Sequence, residues 1–349
     1  MKAVRPLLVA ALSTAVMSAL SAQGPRPSAN NSLTAVPGLK VGHFTLAERP
    51  TGCTVVLAEA GATAAVDVRG AAPATRETDL LDPVNSVQIA HAIVLAGGSA
   101  FGLDSASGVM RYLEEKRIGF AFGNAHVPIV PAAALFDLPV GDGRIRPTAD
   151  CGYKAATAAS ASPVVEGSIG AGAGATIGKS GGGGRAMKSG IGSAAIQLPN
   201  GLIVAALVAV NAYGDVIDPA TGKVVAGVRT ADGRSLADAR TLLRAGTIGF
   251  VPSGQNTTLG VIATNATLTK TEAKRVAQMT HDGYARAIAP VHTPVDGDVI
   301  FALATGVRTG TADVGLIGAL GADVMATAIV RAAQQATSLP NYPAFRDLR

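Results

Sequence analysis

Short apolar runs rich in β-branched residues, each bounded by turn-forming clusters, recur along this chain. They predict strands at Leu39–Thr45, Cys53–Ala58, Ala64–Gly70, Ala90–Leu95, Ser193–Gln197, Leu202–Val210 and Val299–Thr305. Glu48-Arg49-Pro50-Thr51-Gly52 reads as the turn between the first two, and Leu198-Pro199-Asn200-Gly201 as the loop of a hairpin. Val127–Leu138 is apolar and proline-containing, and predicts a strand across the middle of the fold. Helical spacing marks Leu103–Lys116, Gly152–Ala161, a short segment at Ser235–Leu243, Thr269–Met279 and Gly315–Ala333. Thr269 with Glu272 forms a capping box at the head of the fourth of these. Strands and helices alternate without a clean βαβ repeat. That pattern predicts layered sheets covered by helices on both outer faces.

One stretch combines an element with chemistry. Thr257–Asn265 reads as a strand, and Phe250–Gln255 before it as an exposed turn. If the Asn256–Thr257 bond breaks, Thr257 becomes an N-terminal residue with a hydroxyl nucleophile and a free α-amine. That amine has an ordinary pKa of about 7.7–8.0, so near neutral pH it can serve as base for its own hydroxyl. The polar, Gly- and Arg-bearing stretch Thr221–Phe250 is the exposed kind of segment that a processing site needs.

Composition narrows the field. The 349 residues are 48% hydrophobic and only 15% charged, which excludes a disordered chain. Aromatic content is 4% and there are 42 glycines, pointing to closely packed sheets and helices. A nucleic-acid binder would carry a basic stripe with interleaved aromatics, and neither is present. Met1–Ala22 has a signal-peptide layout, with Lys2 and Arg5 before the apolar run Leu7–Leu20 and small residues at Leu20-Ser21-Ala22. The run is too short and too polar for a membrane span. Loss of Lys2 and Arg5 lowers the formal charge from +5 to +3. The expected mature chain is periplasmic or secreted. It starts with a flexible linker over 23–35, and export permits, without requiring, a Cys53–Cys151 disulfide.

Two motifs fail on inspection. Gly98-Ser99-Ala100-Phe101-Gly102 resembles a nucleophile elbow, but Phe101 breaks the Gly-x-Ser-x-Gly pattern two residues after the serine. Gly178-Lys179-Ser180 resembles the tail of a phosphate-binding loop, but Ala173 stands where the first glycine belongs.

Four motifs then occur in a telling order: Val41-Gly42-His43, Ala96-Gly97-Gly98-Ser99-Ala100-Phe101-Gly102-Leu103-Asp104, Asn256-Thr257-Thr258, and His292-Thr293-Pro294-Val295-Asp296-Gly297-Asp298. Over about Val36–Ala333 the chain resembles the DmpA-type family of L-aminopeptidase/D-amidase-esterases, β-peptidyl aminopeptidases and nylon-oligomer hydrolases. The resemblance implies a four-layer αββα sandwich of the N-terminal-nucleophile-like kind. It also implies that a single domain, 36–349, cuts itself into an α fragment, 23–256, and a β fragment, 257–349. Thr257 is then the nucleophile, and the Asn-Thr-Thr spelling is most similar to the nylon-oligomer branch. The same triplet is a formal N-glycosylation sequon, but a buried junction makes a poor acceptor.

By the same resemblance, Asp296 and Asp298 stand beside the nucleophile, where they can accept hydrogen bonds from it and set its protonation. Asn211 matches an oxyanion-stabilising asparagine. Lys179 matches an active-site lysine of the nylon-oligomer branch, with Lys188 as its rival. Phe136 falls where relatives carry a tyrosine. No metal or organic cofactor is implied. The expected partners are a small peptide or amide substrate, the two fragments of one chain, and further copies in a homo-oligomer; nucleic acid and membrane are not. The function expected is a self-processing amide hydrolase. An aminopeptidase, an acyltransferase of the ornithine acetyltransferase type and a non-processing binding protein are the alternatives. The strand expected to face the nucleophile, Val127–Phe136, has no acid before Asp137. It therefore favours blocked or internal amides over free amino termini.

Overall fold

The computed structural model describes Met1 and residues 30–249 and 255–348. The expected signal segment beyond Met1, residues 23–29 of the expected linker and the turn at 250–254 lie outside the described residues. Nine strands share one sheet: β1 (Lys40–Thr45), β2 (Gly52–Val68), β3 (Thr75–Arg76), β4 (Ile89–Ala96), β5 (Ala132–Ala134), β6 (Ile191–Gln197), β7 (Ile203–Asn211), β8 (Thr257–Thr264) and β9 (Val299–Ala304). Their order is β6-β7-β8-β9-β2-β4-β5-β3, with β1 also paired to β2. The longer helices are α1 (Ser105–Glu115), α2 (Ala149–Thr157), α3 (Lys270–Ala287) and α4 (Val314–Gln334).

Side-chain parity along β2 shows how this sheet becomes two layers. Val56, Ala58, Ala62, Ala64 and Val66 share one apolar cluster with Leu207, Leu259, Val261 and Phe301 from β7, β8 and β9. On the other face, Cys53, Val55 and Leu57 pack with Val109, Leu113, Cys151 and Ala155 of α1 and α2. Further along, Ala65 joins a third cluster with Val276, Ala277, Val324 and Met325 of α3 and α4. The inner face of β2 is thus continuous, while its outer face meets one helix pair at one end and the other pair at the other. The change falls at an irregularity in the pairing between Leu57 and Ala62, where Gly61 adopts φ +82. The result is the expected αββα sandwich.

Three local expectations change. Cys53–Ala58 and Ala64–Gly70 are one continuous strand, because the irregularity bends the chain without ending it. Val127–Leu138 is no strand across the fold: Pro128 and Pro131 lack the N–H a ladder needs, leaving β5 and a short strand at Ala125–Val127. The end of the expected linker is packed, not free. Leu33 is fully buried and its N–H donates to Ser193 Oγ at 2.8 Å.

Two features agree closely with the sequence. The capping box of Thr269 and Glu272 opens α3, which then runs on to Ala287. The hairpin of β6 and β7 places Gln197 opposite Ile203, around the expected loop. Cys53 and Cys151 form a disulfide that ties β2 to α2, with Cα atoms 6.2 Å apart.

Candidate active site

Thr257 is the first residue of β8, 2% exposed, and lies opposite Asn211, the last residue of β7. Asn256 is also buried and bridges in parallel to Asp296. The expected exposure of the junction thus stops at Gln255, which is the last exposed residue before it. The Asn256 carbonyl accepts two hydrogen bonds, from Thr257 Oγ1 at 2.5 Å and from the Gly297 N–H at 2.8 Å. The turn carrying Gly297 is held from behind by the chain that follows β2. Arg69 and Gly70 donate to the Asp298 carbonyl at 3.0 and 3.1 Å, and Ala72 to the Asp296 carbonyl at 2.9 Å.

The two aspartates flank this glycine, and both are buried. Asp298 accepts the Thr258 N–H at 2.7 Å, the His292 N–H at 3.2 Å and the His292 ring nitrogen Nδ1 at 2.8 Å. Asp296 accepts from Thr293 Oγ1 at 2.5 Å, from the Thr293 N–H at 3.0 Å and from the Tyr213 N–H at 3.3 Å. Burial and the neighbouring Asp298 charge push the Asp296 carboxyl up to about 6. Among the described residues no hydrogen bond joins either carboxylate to Thr257 itself. Asp298 holds the next residue, and the Gly297 N–H touches the Asn256 carbonyl.

His292 is a site residue that sequence reasoning missed. It lay inside a recognised motif, but nothing in its spacing marks a histidine six places before an aspartate as that aspartate's partner. Its backbone has φ +53, uncommon for a non-glycine residue. Its ring stands 4.8 Å from that of His281 and is stacked with Tyr284 at 5.8 Å.

Asn211 has its side chain fixed at both ends. Its Oδ1 accepts the Thr176 N–H at 3.0 Å and its Nδ2 donates to the Phe136 carbonyl at 2.9 Å. Lys179 donates from Nζ to the Asn211 carbonyl at 2.9 Å and to the Gln255 carbonyl at 3.2 Å. Burial lowers its pKa to about 7, against the opposing pull of Asp296 and Asp137. A cavity of about 280 Å³ opens beside Asn256, lined by Phe136, Lys179, Ser180, Tyr213 and Tyr342 among others. Lys188 does not line it. Its Nζ donates to the carbonyls of Gly172, at 2.9 Å, Ala175, at 3.1 Å, and Ser189. Lys188 therefore braces the segment that delivers Thr176 to Asn211, and Lys179 is the lysine at the cavity.

Asp137, next to Phe136, is fully engaged elsewhere. It pairs with the buried Arg49 guanidinium at 2.8 Å and accepts from Thr51 Oγ1 at 2.6 Å and from the Gly98 N–H at 2.8 Å.

The chain and its fold have counterparts among known proteins. The model of peptidase family S58 matches residues 31–343. This chain belongs to peptidase family S58. It is a hydrolase of peptide or amide bonds with the N-terminal-nucleophile fold. It is 42% identical over 346 residues to an uncharacterized aminopeptidase of Mycobacterium tuberculosis, covering 91% of this chain and 98% of that protein. It is 31% identical over 320 residues to the 6-aminohexanoate-oligomer endohydrolase of a Kocuria species, covering 85% and 84%. Among solved structures, the fold matches a Burkholderia beta-aminopeptidase with TM-score 0.66 at 23% identity, covering 90% of this chain and 89% of that one. It also matches the L-aminopeptidase D-Ala-esterase/amidase of Ochrobactrum anthropi with TM-score 0.65 at 17% identity, covering 90% of each chain.

Proposed function

We propose that this S58 hydrolase cuts its own Asn256–Thr257 bond and then uses the freed Thr257 as nucleophile on small amides. One observation carries the reading: the Thr257 hydroxyl lies against the carbonyl of the residue before it, and both are buried. A bond so enclosed is a poor substrate for an outside protease, so the reactive group has to come from within the fold. In turnover, the new α-amine or neutral Lys179 takes the Thr257 proton, the hydroxyl attacks the substrate carbonyl, and the Asn211 amide with backbone N–H groups holds the oxyanion. Water then releases the acyl group. The two fragments stay together, because β8 of the β fragment lies between β7 of the α fragment and β9, which in turn pairs with β2.

The cavity favours uncharged groups flanking the scissile amide. Among the described residues its lining includes no aspartate or glutamate, and it includes Lys179. Asp137, the nearest acid on that wall, already has Arg49 for a partner. A substrate ammonium buried there would lose water without gaining a carboxylate, at a cost of several kcal/mol. The enzyme is therefore an amidase for blocked or internal aliphatic amides, exported with its Cys53–Cys151 disulfide intact. Terminal sequencing of the smaller fragment tests the cut. It should begin Thr-Thr-Leu-Gly, and Thr257→Ala should remain one inactive chain. An amino-acid p-nitroanilide assayed beside its N-acylated form tests the substrate class, with the acylated form turned over faster. Faster turnover of the free amine would make the enzyme an aminopeptidase.

A further inference from the structure

Self-cleavage needs an electrophile-stabilising group of its own. As the Thr257 Oγ–C bond to the Asn256 carbonyl forms, the carbonyl electron pair moves onto oxygen. The C–N bond then breaks, with its pair and the hydroxyl proton going to the Thr257 nitrogen, which leaves an ester. Water adds to that ester, giving the Asn256 carboxylate and restoring the threonine hydroxyl. The charge on the Asn256 oxygen is the demanding feature of the first step.

Asn211 is not placed to meet it in the uncut chain. Its amide donates to Phe136 O, at 2.9 Å, and Gln255 O, at 3.5 Å, and the Thr176 N–H pins its other end. The Gly297 N–H, by contrast, is already 2.8 Å from the Asn256 oxygen. Three backbone hydrogen bonds from Arg69, Gly70 and Ala72 fix the turn that carries it. A donor held so rigidly needs no reorganisation when charge develops. Position 297 also has no room for a side chain: a Cβ there would lie 2.5 Å from the Ala72 oxygen and 2.9 Å from Thr257 Oγ1.

We propose that the Gly297 backbone N–H is the oxyanion donor of self-cleavage, a role separate from that of Asn211 in turnover; this rests on the self-processing reading above. Asp296 and Asp298 then act on this step through the turn they flank, by aiming the glycine between them.

The test follows self-cleavage of freshly synthesised full-length chain on denaturing gels. Gly297→Ala pushes the turn off the carbonyl, and should leave the chain uncut. Because the added methyl could also disturb folding, a second variant carries glycolic acid at position 297. It replaces the N–H by an ester oxygen and adds no atoms. Cleavage of this variant should slow about 10²–10³-fold, the cost of one oxyanion-hole donor. The same replacement at Gly310, an exposed position with open space around it, should cleave at the normal rate. Normal cleavage of the 297 ester overturns the proposal, as does equal slowing at 310. An uncut wild type, or a cut Thr257→Ala chain, would instead sink the self-processing reading itself.

Discussion

Two buried acidic regions lie close enough to Lys179 to act on its charge, and they treat buried charge in opposite ways. At Asp137, the carboxylate faces the guanidinium of Arg49, both fully buried, and Arg49 spends its other donors on the carbonyls of Val140 and Ile145 at 2.8 Å each. The two charges face each other, and each guanidinium nitrogen has an acceptor. At Asp296 and Asp298, no arginine or lysine forms an ion pair with either carboxylate among the described residues; hydroxyl, backbone and histidine donors are what they have. A compensated ion pair is architecture, because each charge is held by its partner. Beside the Asn256–Thr257 peptide, Asp296 is raised to about 6 by burial and its neighbour's charge, which suits proton transfer near neutral pH.

The sharpest way to break that contrast is to neutralise each region in turn. Asp298→Asn and Asp296→Asn should each lower turnover about 10²–10⁴-fold, as expected for losing a group that sets proton transfer. Their melting temperatures should fall much less than that of an ion-pair variant. Steady-state kinetics beside thermal melts measure both. Near-normal turnover in both variants would make the turn another piece of scaffold.

Next in size is Arg49→Met, which leaves Asp137 buried without its partner. It should cost about 3–5 kcal/mol of stability, the usual cost of breaking a buried pair from one side. Turnover per folded molecule should hold. Denaturant melts combined with active-site titration read the two separately, and a stable but inactive variant would move Arg49 and Asp137 into the catalytic machinery.

Smaller, and specific to Asp296, is the pH profile. With its carboxyl raised to about 6, the acid is neutral below that pH and charged above it. If the charged form serves Thr257, turnover rises with pH through about 6. In Asp296→Asn that limb should vanish from the residual activity. A limb that persists unchanged belongs to another group.

The smallest effect concerns Lys188. Burial lowers its pKa from 10.5 to about 7, so between those values the unfolded chain binds a proton that the folded chain does not. Stability contributed by this group therefore rises with pH across that window. Lys188→Met should flatten the rise in melting temperature between pH 7 and 10, while Lys179, shifted in the same direction, keeps part of the slope. An unaltered slope would mean that Lys188 stays charged against its three carbonyls.

What was legible in the sequence is what is local. Thr257 at the head of a strand, Asn211 at the end of another and the capping box of α3 follow from periods, propensities and short motifs that act over a few residues. The prolines at 128 and 131 were legible too, and weighing them more heavily would have removed the strand expected there. Beta2 was harder. Its two apolar runs are separated by Glu59-Ala60-Gly61, which reads as a break, and only pairing with β4 on one side and β9 on the other carries the strand through.

The sequence by itself determined the strands and helices and, through four motifs in a family's order, the fold class and the hydrolysis of amide bonds, because alternating apolar positions dictate which faces are buried and short motifs act over a few residues. Tertiary structure alone decided which polar groups meet. It set the Gly297 N–H on the Asn256 carbonyl, His292 on Asp298 and Arg49 on Asp137, and it sent Lys179 to the cavity and Lys188 beneath its wall. Arg49 and Asp137 are 88 residues apart, and Gly297 lies on a turn aimed by the chain beyond a different strand. No local pattern encodes such pairings, since a hydrogen bond depends on distances of a few tenths of an ångström that only the packed sandwich defines.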